Sequence, residues 1–209
     1  YENTSKERSE PKIDTSKILV ADLPVQMEGT SVLLFPSGEF TVASGRSKTK
    51  YSSAERESFV VSNSNEYEIT GYLSNFKFQQ IGSDSLKVLT DKPVLIERVT
   101  YLKSIADKTK KQFLVYVLED MDSNQDGKLD SNDIKDLYIS AIDGSNFKKL
   151  SVEFQEFIDW NVIDSQNRLY FRTIEDINKN GAFDKDDKVH YQYVDLMDKE
   201  LKVVEYNPI

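Results

Sequence analysis

The chain has 209 residues, of which 38% are hydrophobic and 30% charged, with a formal net charge of −9 and no cysteine. That composition belongs to a globular protein with one sizeable core or two small ones. It makes a poor nucleic-acid binder, because phosphates call for clustered Lys and Arg, and it excludes disulfides, thiolate metal sites and a Cys nucleophile. There is no apolar run of transmembrane length and no signal peptide. The start at Tyr1 rather than Met reads as a processed or trimmed product. Eleven Tyr and eleven Phe, with many Val and Ile, favour strands over helices.

Residues 1–16 are polar and aperiodic and read as a flexible tail or tether. Short strands at 32–35 and 40–42 flank Pro36-Ser37-Gly38, a hairpin signal. Residues 43–58 read as a polar loop. Strands are then expected at 67–73, 76–81, 86–90, 94–102 and 157–163. Together they describe a single β domain over 17–209.

An internal repeat organises that domain. The segment beginning at Phe113 aligns without gaps with the one beginning at Asn167, placing Tyr116 on Tyr170, Leu129 on Phe183, Ile139 on Tyr193 and Ile142 on Leu196. A weaker copy upstream aligns 79–90 with 140–151, its preceding loop near 62–65 lacking the acidic pattern. The units span roughly 60–93, 94–151 and 152–209, each read as strand, loop, strand, tight turn, strand. The expected fold is all-β: propeller-like repeated antiparallel sheets with loops between strands, or alternatively a β-sandwich.

The two inter-strand loops carry the chemistry. Loop one is DSNQDGKLDSND, 122–133, and loop two is DINKNGAFDKDD, 176–187. Both follow the EF-hand loop spacing, which wraps hard oxygen donors around one Ca²⁺. The ligand positions are Asp122, Asn124, Asp126, Lys128 (through its carbonyl), Asp130 and Asp133 in the first loop. In the second they are Asp176, Asn178, Asn180, Ala182 (through its carbonyl), Asp184 and Asp187. Gly127 and Gly181 stand at the sharp turn, which calls for positive φ. Leu129 and Phe183 follow as apolar plugs expected to tuck against a core. The all-oxygen donor set argues against Zn²⁺, Cu and Fe. The last position is Asp rather than the bidentate Glu of EF-hands, so binding is expected nearer the ~10⁻⁴–10⁻³ M of extracellular modules. The strand-like flanks LVYVLED and LYFRTIED exclude a helix-opening switch; only DSNDIKDL could hold a helical turn.

Two resemblances follow from these motifs. LYISAIDGSNFKKLS and DWNVIDSQNRLYF resemble blade strands of TolB-like propellers, and the loops with their terminal Asp also resemble dockerin modules. In combination the chain resembles Bacteroidetes-type envelope lipoproteins that carry EF-hand-like calcium loops on TolB-like repeats. The resemblance implies two structural calcium ions, a cell-envelope or secreted location, a lipid anchor upstream of residue 1, and a protein or glycan partner rather than an enzymatic role. The alternative is a hydrolase, glycan-acting, with a site between the repeats. His190, the one histidine, is expected as a half-exposed strand residue, and Trp160 as core packing.

Overall fold

The computed structural model describes residues 16–41 and 60–209. The expected tail at 1–16, except Ser16, and the expected loop at 43–58 lie outside the described residues. Within them the chain is all-β apart from one seven-residue helix, and every strand pairing is antiparallel. The strands form two open sheets, and no ring of sheets closes among them. No helix in this part is long and apolar enough to cross a membrane.

The first sheet runs β1 (Lys17–Ala21), β3 (Val32–Thr41), β5 (Glu68–Gln80), β7 (Leu95–Tyr101), β8 (Phe113–Glu119), β9 (Asp136–Ala141) and β10 (Lys148–Lys149). The short β2 (Val25–Gln26) adds to β3, and β4 (Ser62–Asn65) and β6 (Lys87–Val88) add to β5. The second sheet is a meander of β11 (Gln155–Ile163), β12 (Arg168–Glu175), β13 (Lys188–Asp195) and β14 (Val203–Tyr206). Helix α1 (Lys103–Thr109) links β7 to β8 and buries Ile105 and Ala106.

Period-two alternation explains how one strand serves two cores. On β8, Leu114, Tyr116 and Leu118 face a core shared with Leu34, Ile69, Phe76, Phe78, Ile96 and Val99 of the first sheet. Val115 and Val117 face the other way and join Leu137 and Ile139 against Leu169, Phe171 and Val194 of the second sheet. The second sheet therefore packs over one face of the first. The apolar run FLVYVLE is continuous because both of its faces are covered.

Four sequence expectations need correction. The Pro36-Ser37-Gly38 stretch is no hairpin: β3 passes straight through it, with a register shift against β5 between Ser37 and Gly38. Pro36 itself pairs in register with Phe76, and its carbonyl accepts the backbone N–H of Asp22 at 2.8 Å. The strands expected at 67–73 and 76–81 are one thirteen-residue strand, β5. The region near 62–65 is strand β4 rather than a loop. Finally, the repeat needs one inserted residue after loop two. Val115 pairs with Ile139, whereas Leu169 pairs with Val194. The counterpart of Ile139 is thus Val194, and the aligned Tyr193 faces the opposite side, where it clusters with Tyr170 and Tyr206.

Candidate metal centre

Loop one joins β8 to β9 and loop two joins β12 to β13, at equivalent places in the two meanders. Both fold onto the same hydrogen-bond ladder. At the first position, Asp122 accepts the backbone N–H of Asp126 (3.1 Å) and Gly127 (2.9 Å), and Asp176 accepts those of Asn180 (3.2 Å) and Gly181 (2.8 Å). The third-position amide oxygen accepts the fifth-position N–H at 2.9 Å in both loops. The fifth-position side chain accepts the N–H of Lys128 (2.9 Å) or Ala182 (2.8 Å). At the end, Asp133 accepts the N–H of Ser123 (2.8 Å) and Asp130 (2.9 Å), and Asp187 those of Ile177 (3.0 Å) and Asp184 (2.7 Å). Gln125, Gly127, Lys179 and Gly181 all take positive φ. This is why Asx residues recur: their short side chains curl the backbone around themselves.

The ladder draws on backbone N–H donors, and a carboxylate oxygen that accepts one such bond keeps a second lone pair. Among the described residues no Lys, Arg or His pairs with any of the loop carboxylates within 4.0 Å. In loop two the polar ends of the third, fifth and ninth positions already meet: Asn180 Nδ2 lies 2.8 Å and Asn178 Nδ2 3.4 Å from Asp184 Oδ2. No set of three or more His, Cys, Asp or Glu side chains is gathered as a metal-holding group among the described residues. The four aspartates of loop one, Asp122, Asp126, Asp130 and Asp133, therefore do not converge on one point. The donors are hard oxygens throughout, so the residues present fit Ca²⁺.

The loops differ in support. Asp133 is 4% exposed, whereas Asp187 is only half-buried. Burial opposes the charge on Asp133, but N–H donors from Asp130, Asn124 and Ser123 outweigh it and hold its carboxyl below the usual range. Beneath loop one, Lys149 bridges Asp120 (3.1 Å) and the buried Asp136 (3.0 Å), and Ser151 donates to Asp136 at 2.7 Å. Burial still pushes Asp136 up to about 6. Loop two is more open, and Phe183, expected as a core plug, is 50% exposed. Leu129 is half-buried, and no helical turn follows loop one.

Sequence reasoning missed two features. His190 is buried rather than half-exposed, and its ring bridges Glu175 (2.7 Å, Nε2) on β12 and Glu205 (2.9 Å, Nδ1) on β14. Glu119 ends the apolar run of β8 fully buried, with neither carboxyl oxygen meeting a hydrogen-bond donor. The one available signal for Glu119 was an acid closing a strand whose other residues are all apolar or aromatic. No protein-family model matches the chain, and no curated protein does.

Proposed function

We propose that the chain is a calcium-stiffened, non-enzymatic binding module of the cell envelope or the secreted fraction, holding one Ca²⁺ in each loop. The observation that carries this reading is the shared ladder of two loops whose sequences coincide chiefly at the Asp, Asn and Gly positions. In loop one Asp122, Asn124, Asp126, Asp130 and Asp133 supply side-chain oxygens and Lys128 its carbonyl. In loop two Asp176, Asn178, Asn180, Asp184 and Asp187 do so, with the carbonyl of Ala182. Strands on both sides of each loop make the ion a clamp rather than a switch, and millimolar extracellular calcium suits the Asp in the twelfth position. The four-stranded meander β11–β14 has the form of a propeller blade, and this supports TolB-like ancestry with a protein or glycan partner, although β7–β10 continues through β5 into a larger sheet. A lipid anchor ahead of residue 1 belongs to the same reading.

Calorimetric titration of chelator-treated protein tests it. Two calcium equivalents are expected, falling to one in Asp122→Ala or Asp176→Ala, with magnesium binding more weakly. Absence of calcium heat up to about 10 mM, well above the weakest extracellular modules, would refute it.

A further inference from the structure

A groove of about 790 Å³ opens where β11 passes the first sheet, within the roughly 300–1,000 Å³ of small-ligand sites. Tyr72 of β5 and Glu97 and Arg98 of β7 line it, together with Glu156 and Trp160 of β11. Three irregularities in strand register surround it. The β5–β7 ladder breaks between Thr70 and Leu73, β7–β8 between Ile96 and Arg98, and β11–β12 between Phe157 and Asp159. The residues these breaks leave out of register, Gly71, Tyr72, Glu97 and Ile158, all line the groove. Bulges bend strands and re-aim side chains next to sites, and three converging on one cavity mark it as built.

Behind the groove, on the same face of β8 as the lining residue Val117, lies Glu119. It is fully buried and its oxygens meet no donor, and burial first and the Glu97 carboxylate second push its carboxyl up. Glu97 also pairs with Lys135 at 3.2 Å. Most charge on the walls is matched, Lys135 with Glu97, Arg98 with Glu68 at 3.4 Å, and Asp159 with Arg172, while Glu156 accepts the backbone N–H of Lys135 at 2.8 Å. The paired Lys135 and Arg98 offer an anionic ligand no spare cation, and a cationic ligand meets only Glu156 outside those pairs. What remains on the groove are two aromatic rings, the exposed Tyr72 and the half-buried Trp160, which also packs against the second core, and polar groups that both donate and accept.

We infer that this groove binds a neutral oligosaccharide. A sugar ring offers an apolar C–H face to Tyr72 and Trp160, and hydroxyls that donate to Glu97 and Glu156 and accept from Arg98 and Lys135. This rests on the binding-module half of the proposed function and not on the calcium loops.

Trp160 is the only tryptophan, so its emission reports the groove directly. The full chain, calcium-loaded and chelator-treated, is titrated with neutral gluco-, manno-, xylo- and N-acetylglucosamine oligosaccharides, with oligolysine and polyglutamate as charged probes. The expected result is a saturable change with at least one neutral series in both metal states, weakened at least tenfold in Tyr72→Ala and in Glu97→Gln. Tyr72 is 67% exposed, so its removal leaves folding intact, checked by circular dichroism. No saturable response to any neutral sugar, a response only to the charged probes, or a sugar response untouched by both substitutions would overturn the inference. Calcium calorimetry on the same samples reads the loops separately, so either reading can fail alone.

Discussion

Replacing Glu119 by Gln should stabilise the protein at neutral pH. Burial first, and the neighbouring Glu97 carboxylate second, push the Glu119 carboxyl from 4.5 up to about 9. The folded state thus holds a proton that the unfolded chain releases above about pH 4.5. Because the folded value is raised, the stability this group lends is complete below about pH 4.5 and falls as pH rises toward 9. From 4.5 to 7 is 2.5 units, or roughly 3 kcal/mol at ~1.36 kcal/mol per unit. The nearby groove admits solvent that screens the charge, which lowers the expectation to about 2 kcal/mol. Glutamine keeps the shape and does not titrate. Urea unfolding at pH 7 should therefore show Glu119→Gln more stable by about 2 kcal/mol, and at pH 4.5 the two proteins should unfold alike. A gap of the same size at both pH values, or a less stable variant at pH 7, would refute the reasoning.

Further predictions concern the glycines, the loop-closing acids and the histidine. Gly144 has φ +77° and an added Cβ would stand 2.4 Å from the Phe78 ring, so Gly144→Ala should cost roughly 3 kcal/mol in urea unfolding. Gly127 has φ +85° with open space around it, so Gly127→Ala should cost only about 1 kcal/mol while weakening calcium binding at loop one. In chelator, Asp133→Asn should lose about 2 kcal/mol and Asp187→Asn less than about 1 kcal/mol, because only Asp133 is buried under its N–H donors. The folded value of Asp133 is depressed, so its contribution is present above about pH 4 and disappears as pH falls below it. His190→Ala should cost about 2 kcal/mol by removing the bridge between Glu175 and Glu205, read as a lowered midpoint in urea.

Much of this molecule is legible from local chemistry. The β class followed from aromatic and β-branched content, and the strands flanking the loops from alternation around Asp-rich turns whose spacing dictates their own ladder. What escaped was set by distant partners. A Pro-Ser-Gly string signals a turn, but β5 holds it in a strand by pairing across the interruption. The slip after loop two turns on one residue, and with a period of two that residue moves Tyr193 from one face to the other. The burial of His190 and Glu119 depends on neighbours on other strands, which no local pattern encodes. The groove is made by three register breaks, and breaks leave no periodic trace in sequence.

Calcium-dependent thermal unfolding bears most directly on the central claim. Chelator-treated protein is heated with increasing calcium, with magnesium in parallel. The account predicts a rising midpoint that saturates near ~1 mM calcium. A hundred-fold excess over Kd adds ~2.7 kcal/mol per site, and the far-ultraviolet circular dichroism should stay unchanged because strands flank both loops. A midpoint that ignores calcium at every concentration, or a large change in secondary structure on binding, would contradict it.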